Sequence, residues 1–466
     1  MRISKLGFGV MRLKQNADGS FPQETINLMH KAYEFGINYF DTGYEYLNEK
    51  SESLICDTLV KCYLRESFFI ADKLPIWRIK RENDLGKIFS LQLERLNTSY
   101  IDFYLLHGLN SDYWKMVKEF KVLDFLTEQK RVGKIHRVGF SFHDDIKTLK
   151  MILTSYEWDF CQLQINYYDW YAQCANEKYR ICEDYGIPVM IMEPLGGGRL
   201  TKLPEEIMET LSKYEVTPTQ FGLKFLCNLS NVAVILSGAV NEKQLQENVD
   251  TISSKAKLYD DNLYRNIVRV IQSKSTIPCT ACRYCVNECP KHIDIPLVFQ
   301  KYNDSKLLGI PNQYSNFGEF YFKGIPFSQQ AHNCIQCRKC MKRCPQKIHI
   351  PDELKRVHES AVYSFLGLPL SELREKLIKR GKKLVCFGAG EEGRNLQNIL
   401  ESIGCKVGFF CDNNPDRWNK NFNRLKILSP AQLATKKEEV MVYISSNNYY
   451  EDIHRQLMDM GIEICN

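Results

Sequence analysis

The chain has 466 residues, 44% of them hydrophobic and 25% charged, with a net charge of +6. That is enough apolar material for roughly two to four domains, and the charge is too small for this length to argue for nucleic acid or a membrane surface. The opening MRISKLGFGVM has no long apolar region and no small-residue cleavage site, and no run approaches the roughly 18 apolar residues of a membrane span, so a cytoplasmic protein is expected.

From residue 3 to about 270, short apolar runs alternate with amphipathic stretches. The strand candidates, in chain order, are KLGFGVM, INYFD, FFIADK, IDFYLLH, KIHRVGF, FCQLQIN, PVMIME and NVAVILS; helical patterns such as ETINLMHKAYEFG and DDIKTLKMIL lie between them. Strands alternating with helices imply parallel pairing through crossover helices. Eight such units in this length suit an α/β fold closed as a (β/α)8 TIM barrel over residues 1–270, whose functional residues gather at the carboxyl ends of the strands. Asp41 ends the second strand and Tyr46 follows it; Lys73 ends the third and His107 the fourth.

With these residues go LGFGVMRL at the start, KIHRVGFSFH, QLQIN, and VNEKQLQENV after the last strand. Together they make the first 270 residues resemble the aldo-keto reductases over nearly the whole barrel. The resemblance implies a catalytic set of Tyr46, Lys73, Asp41 and His107. Its chemistry is coherent: a phenol with a pKa of about 10 is a poor proton donor at neutral pH, a neighbouring ammonium lowers that value, a carboxylate holds the ammonium, and an imidazole orients the carbonyl. The resemblance further implies NAD(H) or NADP(H), with Ser141 and Gln162 on the carboxamide. Phe142 stands where the family has an asparagine. The loop EPLGGGRL, from Glu193 through Gly196 and Gly197, is expected to bring backbone amides to a pyrophosphate, and Glu247 and Asn248 match a pair used near adenine. Gly238 and Gln244 occupy the places of the basic residues that usually meet a 2′-phosphate, leaving Lys243, so NADH is favoured over NADPH.

Residues 271–365 change character. Of the 18 cysteines, eight fall into CTACRYCVNECPKHIDIP and CIQCRKCMKRCPQKIHIP, two copies at a 55-residue offset. The other ten, Cys56, Cys62, Cys161, Cys174, Cys182, Cys227, Cys386, Cys405, Cys411 and Cys465, read as small packing residues. Each copy is C-x2-C-x2-C-x3-C-P, the bacterial ferredoxin spacing, in which the fourth cysteine of one run ligates the other cluster. That assigns Cys279, Cys282, Cys285 and Cys344 to one [4Fe–4S] cluster, and Cys334, Cys337, Cys340 and Cys289 to a second. Zinc would call for four ligands with a larger gap between paired cysteines. An anaerobic or oxygen-poor setting is expected. A nicotinamide moves two electrons and a cluster one, so a flavin normally couples them. No flavin motif is present, which leaves a flavin bound in the barrel, a flavoprotein or ferredoxin as electron partner, a substrate that itself accepts single electrons, or clusters that do not turn over with the barrel.

Residues 366–466 open with a linker helix over 366–380. Then a strand leads into Gly388-x-Gly390-x-x-Gly393, a helix and a second strand ending at Asp412, the βαβ dinucleotide fingerprint in its proper context. A small Rossmann-like sheet holding a nucleotide or nucleotide-sugar is expected. The whole reads as an oxidoreductase interconverting a small-molecule carbonyl and an alcohol, linked to an iron–sulfur domain. The alternative is an electron-transfer protein whose barrel serves as a docking module.

Overall fold

The apolar runs become eight strands: β1 Leu6–Gly9, β2 Tyr39–Asp41, β3 Phe69–Leu74, β4 Ile101–Leu109, β5 Ile135–Phe142, β6 Phe160–Gln164, β7 Val189–Met192 and β8 Val232–Ser237. Every neighbouring pair is parallel, and β8 returns to β1, closing the barrel. The computed structural model describes residues 2–254, 260–274, 276–366, 381–445 and 449–465. Among them no helix is long and apolar enough to cross a membrane.

The barrel interior is filled by side chains at alternate strand positions, as the two-residue period requires. Tyr39, Ala71, Phe103, Leu105, Phe160, Met190, Val234 and Leu236 form one buried cluster. Its aromatic rings need gaps opposite them. A Cβ on Gly139 would lie 2.6 Å from the Phe160 ring, so the glycine in KIHRVGF is a packing requirement. The register pairs Asp41 with Ala71 and Lys73 with Leu105, which brings successive strand ends to one rim.

The chain divides into two compact units, Met1–Cys282 and Arg283–Asn466. Composition marked a change at 270; the compact boundary falls inside the first cysteine motif. The physical reason lies in the first unit, where Arg12 donates to the carbonyl of Thr280 at 2.9 Å and ties the start of that motif to the barrel.

In the second unit, helices Ile295–Leu307, Phe317–Gly324 and Ile350–Leu366 precede a five-stranded sheet. Its strands are β9 Lys383–Phe387, β10 Val407–Cys411, β11 Asn421–Phe422, β12 Leu425–Leu428 and β13 Val440–Ile444, in the order β11-β12-β10-β9-β13. β9, β10, β12 and β13 are parallel, and β11 is an antiparallel edge. Val362 and Leu366, at the end of Ile350–Leu366, belong to the same buried cluster as Leu384, Phe410 and Tyr443. The end of helix Ile350–Leu366 and the sheet therefore share a core. The linker helix expected over 366–380 lies outside the described residues beyond Leu366.

The cysteine repeat is also a repeat of backbone conformation. Ala281 and Gln336, Arg283 and Arg338, and His292 and Lys347 all have positive φ, each pair at the same offset. Non-glycine residues pay about 1–2 kcal/mol for that conformation.

A Cβ at Gly393 would sit 1.9 Å from the carbonyl oxygen of Gly388, and rigid backbone cannot yield that space. Gly393→Ala is expected to destabilise the β9–helix junction by about 1–3 kcal/mol. Hydrogen exchange on the full chain checks it: amides of β9 and of helix Glu391–Ser402 should lose protection while those of the barrel keep theirs.

Candidate active site

Lys73 is the centre of the rim. Its side chain is 1% exposed, and its Nζ lies 2.7 Å from Asp41 Oδ1 while also donating to the carbonyl of Thr42. Burial pushes the Asp41 carboxyl above its ordinary range, and the Lys73 ammonium and the Gln162 amide oppose that rise. Lys73 Nζ stands 5.0 Å from the centroid of the Tyr46 ring. The same ring meets His107 edge-on at 5.7 Å. Asp41, Tyr46, Lys73 and His107 thus meet at one mouth, all buried.

Local chemistry explains how each gets there. Tyr46 sits in the loop after β2, where its ring rests on Gly43: a Cβ there would be 3.1 Å from it. Leu47, Asn48 and Glu49 follow with φ of 52°, 55° and 64°. Three successive left-handed residues persist only where the surroundings hold them. Here Gln15 donates to the Leu47 carbonyl at 3.0 Å, Asn48 donates to the Gln15 side chain at 2.8 Å, and Arg95 binds Glu49 at 2.8 Å. His107 lies where the β4–β5 register slips, beside Gly108 with φ of 63°. Such a bulge re-aims a side chain at a strand end. Trp77, which sequence reasoning did not single out, packs 4.9 Å from His107 and donates to Glu45 at 2.8 Å. It gives the mouth an aromatic wall.

Ser141 and Gln162 are register partners on β5 and β6, both buried. The Ser141 hydroxyl accepts from the Gly108 amide at 2.7 Å. Gln162 Oε1 is buried with no hydrogen-bond partner, an acceptor waiting for a donor. On the helix Glu242–Ser253, Asn248 donates to Ser237 at 2.8 Å and its Oδ1 is likewise unpartnered. Glu247 accepts from Thr217 at 2.6 Å, and Gln244 caps the Val240 amide at 3.0 Å.

The β7 loop differs from its expected use. Gly196, Gly197 and Gly198 have φ of 57°, 69° and 92°, so glycine is required there. The Gly196 and Gly198 amides, however, turn into the loop. Gly196 donates to the Glu193 carbonyl and Gly198 to that of Leu195, both at 3.0 Å. The open side of Gly197 faces the Thr280 carbonyl, 2.1 Å from where a Cβ would be. Glu193 itself pairs with Arg12 at 2.6 Å. Arg12 was not singled out in LGFGVMRL; a cation directly after the first strand was the available signal. Arg199 in the same loop lies over the Tyr168 ring at 4.4 Å, and its Nε and Nη1 are buried without partners.

Of the eight motif cysteines, Cys289, Cys334, Cys337 and Cys340 line one cavity in the second unit with Ile293, Ile295 and Leu354. Burial pushes the Cys340 thiol up to about 11, and Cys334, Cys289 and Cys337 add to that. Without a cation, each thiolate in this cavity disfavours the next, and metal uptake would have to drive off their protons. Among the described residues no three His, Cys, Asp or Glu side chains meet at a single-ion point. Thiolates on a cubane bind separate irons and need not meet. In the first unit, the Ala281 amide donates to Cys279 Sγ at 3.4 Å, and Cys279 and Cys282 lie close enough to Arg12 to favour its charge.

In the C-terminal sheet, Gly388 has φ of 108° and Gly390 caps helix Glu391–Ser402. Asp412, the expected ribose acid, already accepts from the Ala389 and Asn414 amides at 2.8 Å each and from Arg417 at 3.1 Å. Glu391 and Glu392 open the helix, exposed. They place negative charge where a pyrophosphate would dock.

Comparison with known proteins agrees with this architecture. Residues 5–265 match the Aldo/keto reductase family, residues 278–349 a 4Fe-4S dicluster domain, and residues 380–464 a domain described as C2185-like, N-terminal. The first match spans more than half of the chain, and the chain belongs to the aldo/keto reductase family, a family of oxidoreductases. One relative is the NADH-specific methylglyoxal reductase of Escherichia coli, 24% identical over 323 residues that cover 58% of this chain and 96% of the relative. Another is an uncharacterized oxidoreductase of Caenorhabditis elegans, 22% identical over 333 residues, covering 70% and 89%. Among solved structures, an aldo-keto reductase from Klebsiella pneumoniae in complex with NADPH is 18% identical, with a TM-score of 0.48 over 57% of this chain and 91% of that one.

The Lys73–Asp41 pair is buried, so removing one partner strands a charge. Asp41→Asn is expected to cost about 3–5 kcal/mol, and Asp41→Asn with Lys73→Met markedly less than the sum of the single changes. Denaturant unfolding followed by tryptophan fluorescence measures the coupling; additive losses would mean the two groups do not interact.

Proposed function

We propose that this chain is an iron–sulfur aldo-keto reductase that interconverts a carbonyl and an alcohol on a small molecule, with NAD(P)H as hydride donor. The observation that carries the reading is the convergence of Tyr46, Lys73, Asp41 and His107. NAD(P)H, when bound, supplies the hydride. The protein's residues do the rest. The Tyr46 hydroxyl gives its proton to the carbonyl oxygen as charge develops there, and the Lys73 ammonium steadies the phenolate left behind. Asp41 holds the Lys73 side chain in place. His107 orients the carbonyl, and Trp77 helps to keep water from that side.

The buried acceptor on Gln162 and the neighbouring Ser141 suit a carboxamide. Arg199, with two unpartnered nitrogens, suits a pyrophosphate better than the internally bonded loop amides do. Glu193, Gly196 and Gly197 then shape that loop, and Asn248 and Glu247 face the adenine end. NADH is the favoured form: Gly238 and Gln244 offer no cation to a 2′-phosphate, and one relative is named for NADH specificity.

The eight motif cysteines hold two [4Fe–4S] clusters, with Cys279, Cys282, Cys285 and Cys344 on one and Cys334, Cys337, Cys340 and Cys289 on the other. Bound clusters supply one-electron transfer, with a flavoprotein or ferredoxin as external partner. The C-terminal sheet is assigned a scaffolding role ahead of a nucleotide or nucleotide-sugar site: such a ligand would have to displace Arg417 from Asp412 and sit against Glu391 and Glu392.

One observation favours a second reading. Thr280 fills the open side of Gly197, as it would if the barrel worked with the cysteine motif and without a nucleotide. Nucleotide binding separates the two: protection of the β7 loop by NADH in hydrogen exchange supports the reductase, and none supports the electron-transfer protein.

Tyr46→Phe is expected to lower carbonyl-dependent NADH oxidation by about 10²–10⁴-fold with NADH affinity retained. An anaerobic assay over a panel of aldehydes and ketones checks it; a variant as fast as the parent removes Tyr46 as proton donor. The anaerobically purified chain is expected to carry about eight irons, and Cys289→Ser about half that, read by iron and sulfide analysis.

A further inference from the structure

The start of the first cysteine motif, as far as Cys282, belongs to the barrel unit. Arg12, which follows β1, donates from one nitrogen to the Thr280 carbonyl at 2.9 Å and to Glu193 Oε1 at 2.6 Å. Its stem passes Gly238 after β8, where a Cβ would be 3.7 Å from its Cδ. Gly197 of the β7 loop closes against the Thr280 backbone from the other side. Thr280, whose carbonyl Arg12 holds, lies between Cys279 and Cys282 in the chain, next to the first of them. An ion pair, an arginine and a carboxylate together, is therefore lodged at the ends of β1 and β7, beside two residues of one cysteine set. A packing role for Arg12 would need no acid partner, and a pyrophosphate role would leave its donors open to solvent. Instead its Nη2 is committed to the Thr280 carbonyl and to Glu193.

We propose that the Arg12–Glu193 pair is a positioning and tuning element for the cluster bound by Cys279 and Cys282, fixing that motif at the barrel's C-terminal face and setting the local charge that governs its reduction potential. The proposal rests on the iron–sulfur reading above. Cluster potentials respond to nearby charge and to hydrogen bonds. Reduction adds a negative charge, so a nearby cation raises the potential and a nearby anion lowers it. The two partners must then act in opposite directions. Arg12→Gln removes the cation and leaves Glu193, moving the potential down. Glu193→Gln removes the anion and leaves Arg12, moving it up. The cavity of Cys289, Cys334, Cys337 and Cys340 is lined by its own charged residues, Glu288, Lys291 and Arg338, and by neither Arg12 nor Glu193, so that cluster is expected to stay put.

The test is an anaerobic redox titration of the full-length, iron-loaded chain with dithionite and mediator dyes, followed by electron paramagnetic resonance. One of two midpoints should fall in Arg12→Gln and rise in Glu193→Gln, with Arg12→Lys close to the parent and the other midpoint unchanged in all three. Shifts of the same sign in both neutral variants, shifts of both midpoints together, or no shift would overturn the proposal. Should Arg12→Gln fail to take up iron, the opposite behaviour of Glu193→Gln and the near-parent behaviour of Arg12→Lys decide the matter. Absence of iron, sulfide and a reduced-cluster signal from the parent chain would instead defeat the iron–sulfur reading itself.

Discussion

A lysine whose side chain is almost wholly buried inside the rim of a barrel is the constraint around which the first unit is arranged. An ammonium removed from water is tolerated only with a charged partner and further acceptors, and here Asp41 and the Thr42 carbonyl supply them. Those partners lie on the neighbouring strand, so the requirement fixes the β2–β3 register, and with it the position from which the chain turns back toward Lys73. Tyr46 is delivered by that turn. The run of left-handed residues behind it is strain tolerated locally because Gln15, Arg95 and the loop's own bonds hold it, which is where functional sites tend to keep such conformations.

The cysteine-rich region follows a different logic. Its backbone repeatedly enters the left-handed region at non-glycine residues, although Val298, Phe299, Tyr321 and Val357 around the motifs are fully buried. The barrel gives it a fixed point through Arg12 and Gly197, and the helix Ile350–Leu366 gives its other end a core shared with the C-terminal sheet. The segment is thus anchored at both ends by elements with cores of their own.

Much of this was legible before any coordinates. The two-residue and helical periods located all eight barrel strands, because each strand is buried on both faces and reads as an apolar run. The candidate catalytic residues stood at strand ends, where the barrel exposes them. The cysteine spacing carried its own meaning. Less legible were groups whose role depends on what faces them. Arg12 looked like any cation after a strand until Glu193 and Thr280, far away in the chain, were beside it. Trp77 looked like a loop aromatic until His107 packed on it. The glycines of EPLGGGRL suggested amides open to a pyrophosphate; in the structure they take positive φ, Gly197 closes on Thr280, and the Gly196 and Gly198 amides bond within the loop.

The same division holds across the molecule. Sequence alone determined the barrel, the paired cysteine motifs and the βαβ unit at Gly388, because periodicity, spacing and glycine geometry are local properties of the chain. The tertiary structure alone decided where one unit ends and the next begins, that Asp412 is already bonded to Ala389, Asn414 and Arg417, and that an ion pair stands beside Cys279 and Cys282. Those outcomes turn on which charged and polar groups, distant in the chain, lose their water together, and burial of that kind is set by packing that no local pattern encodes.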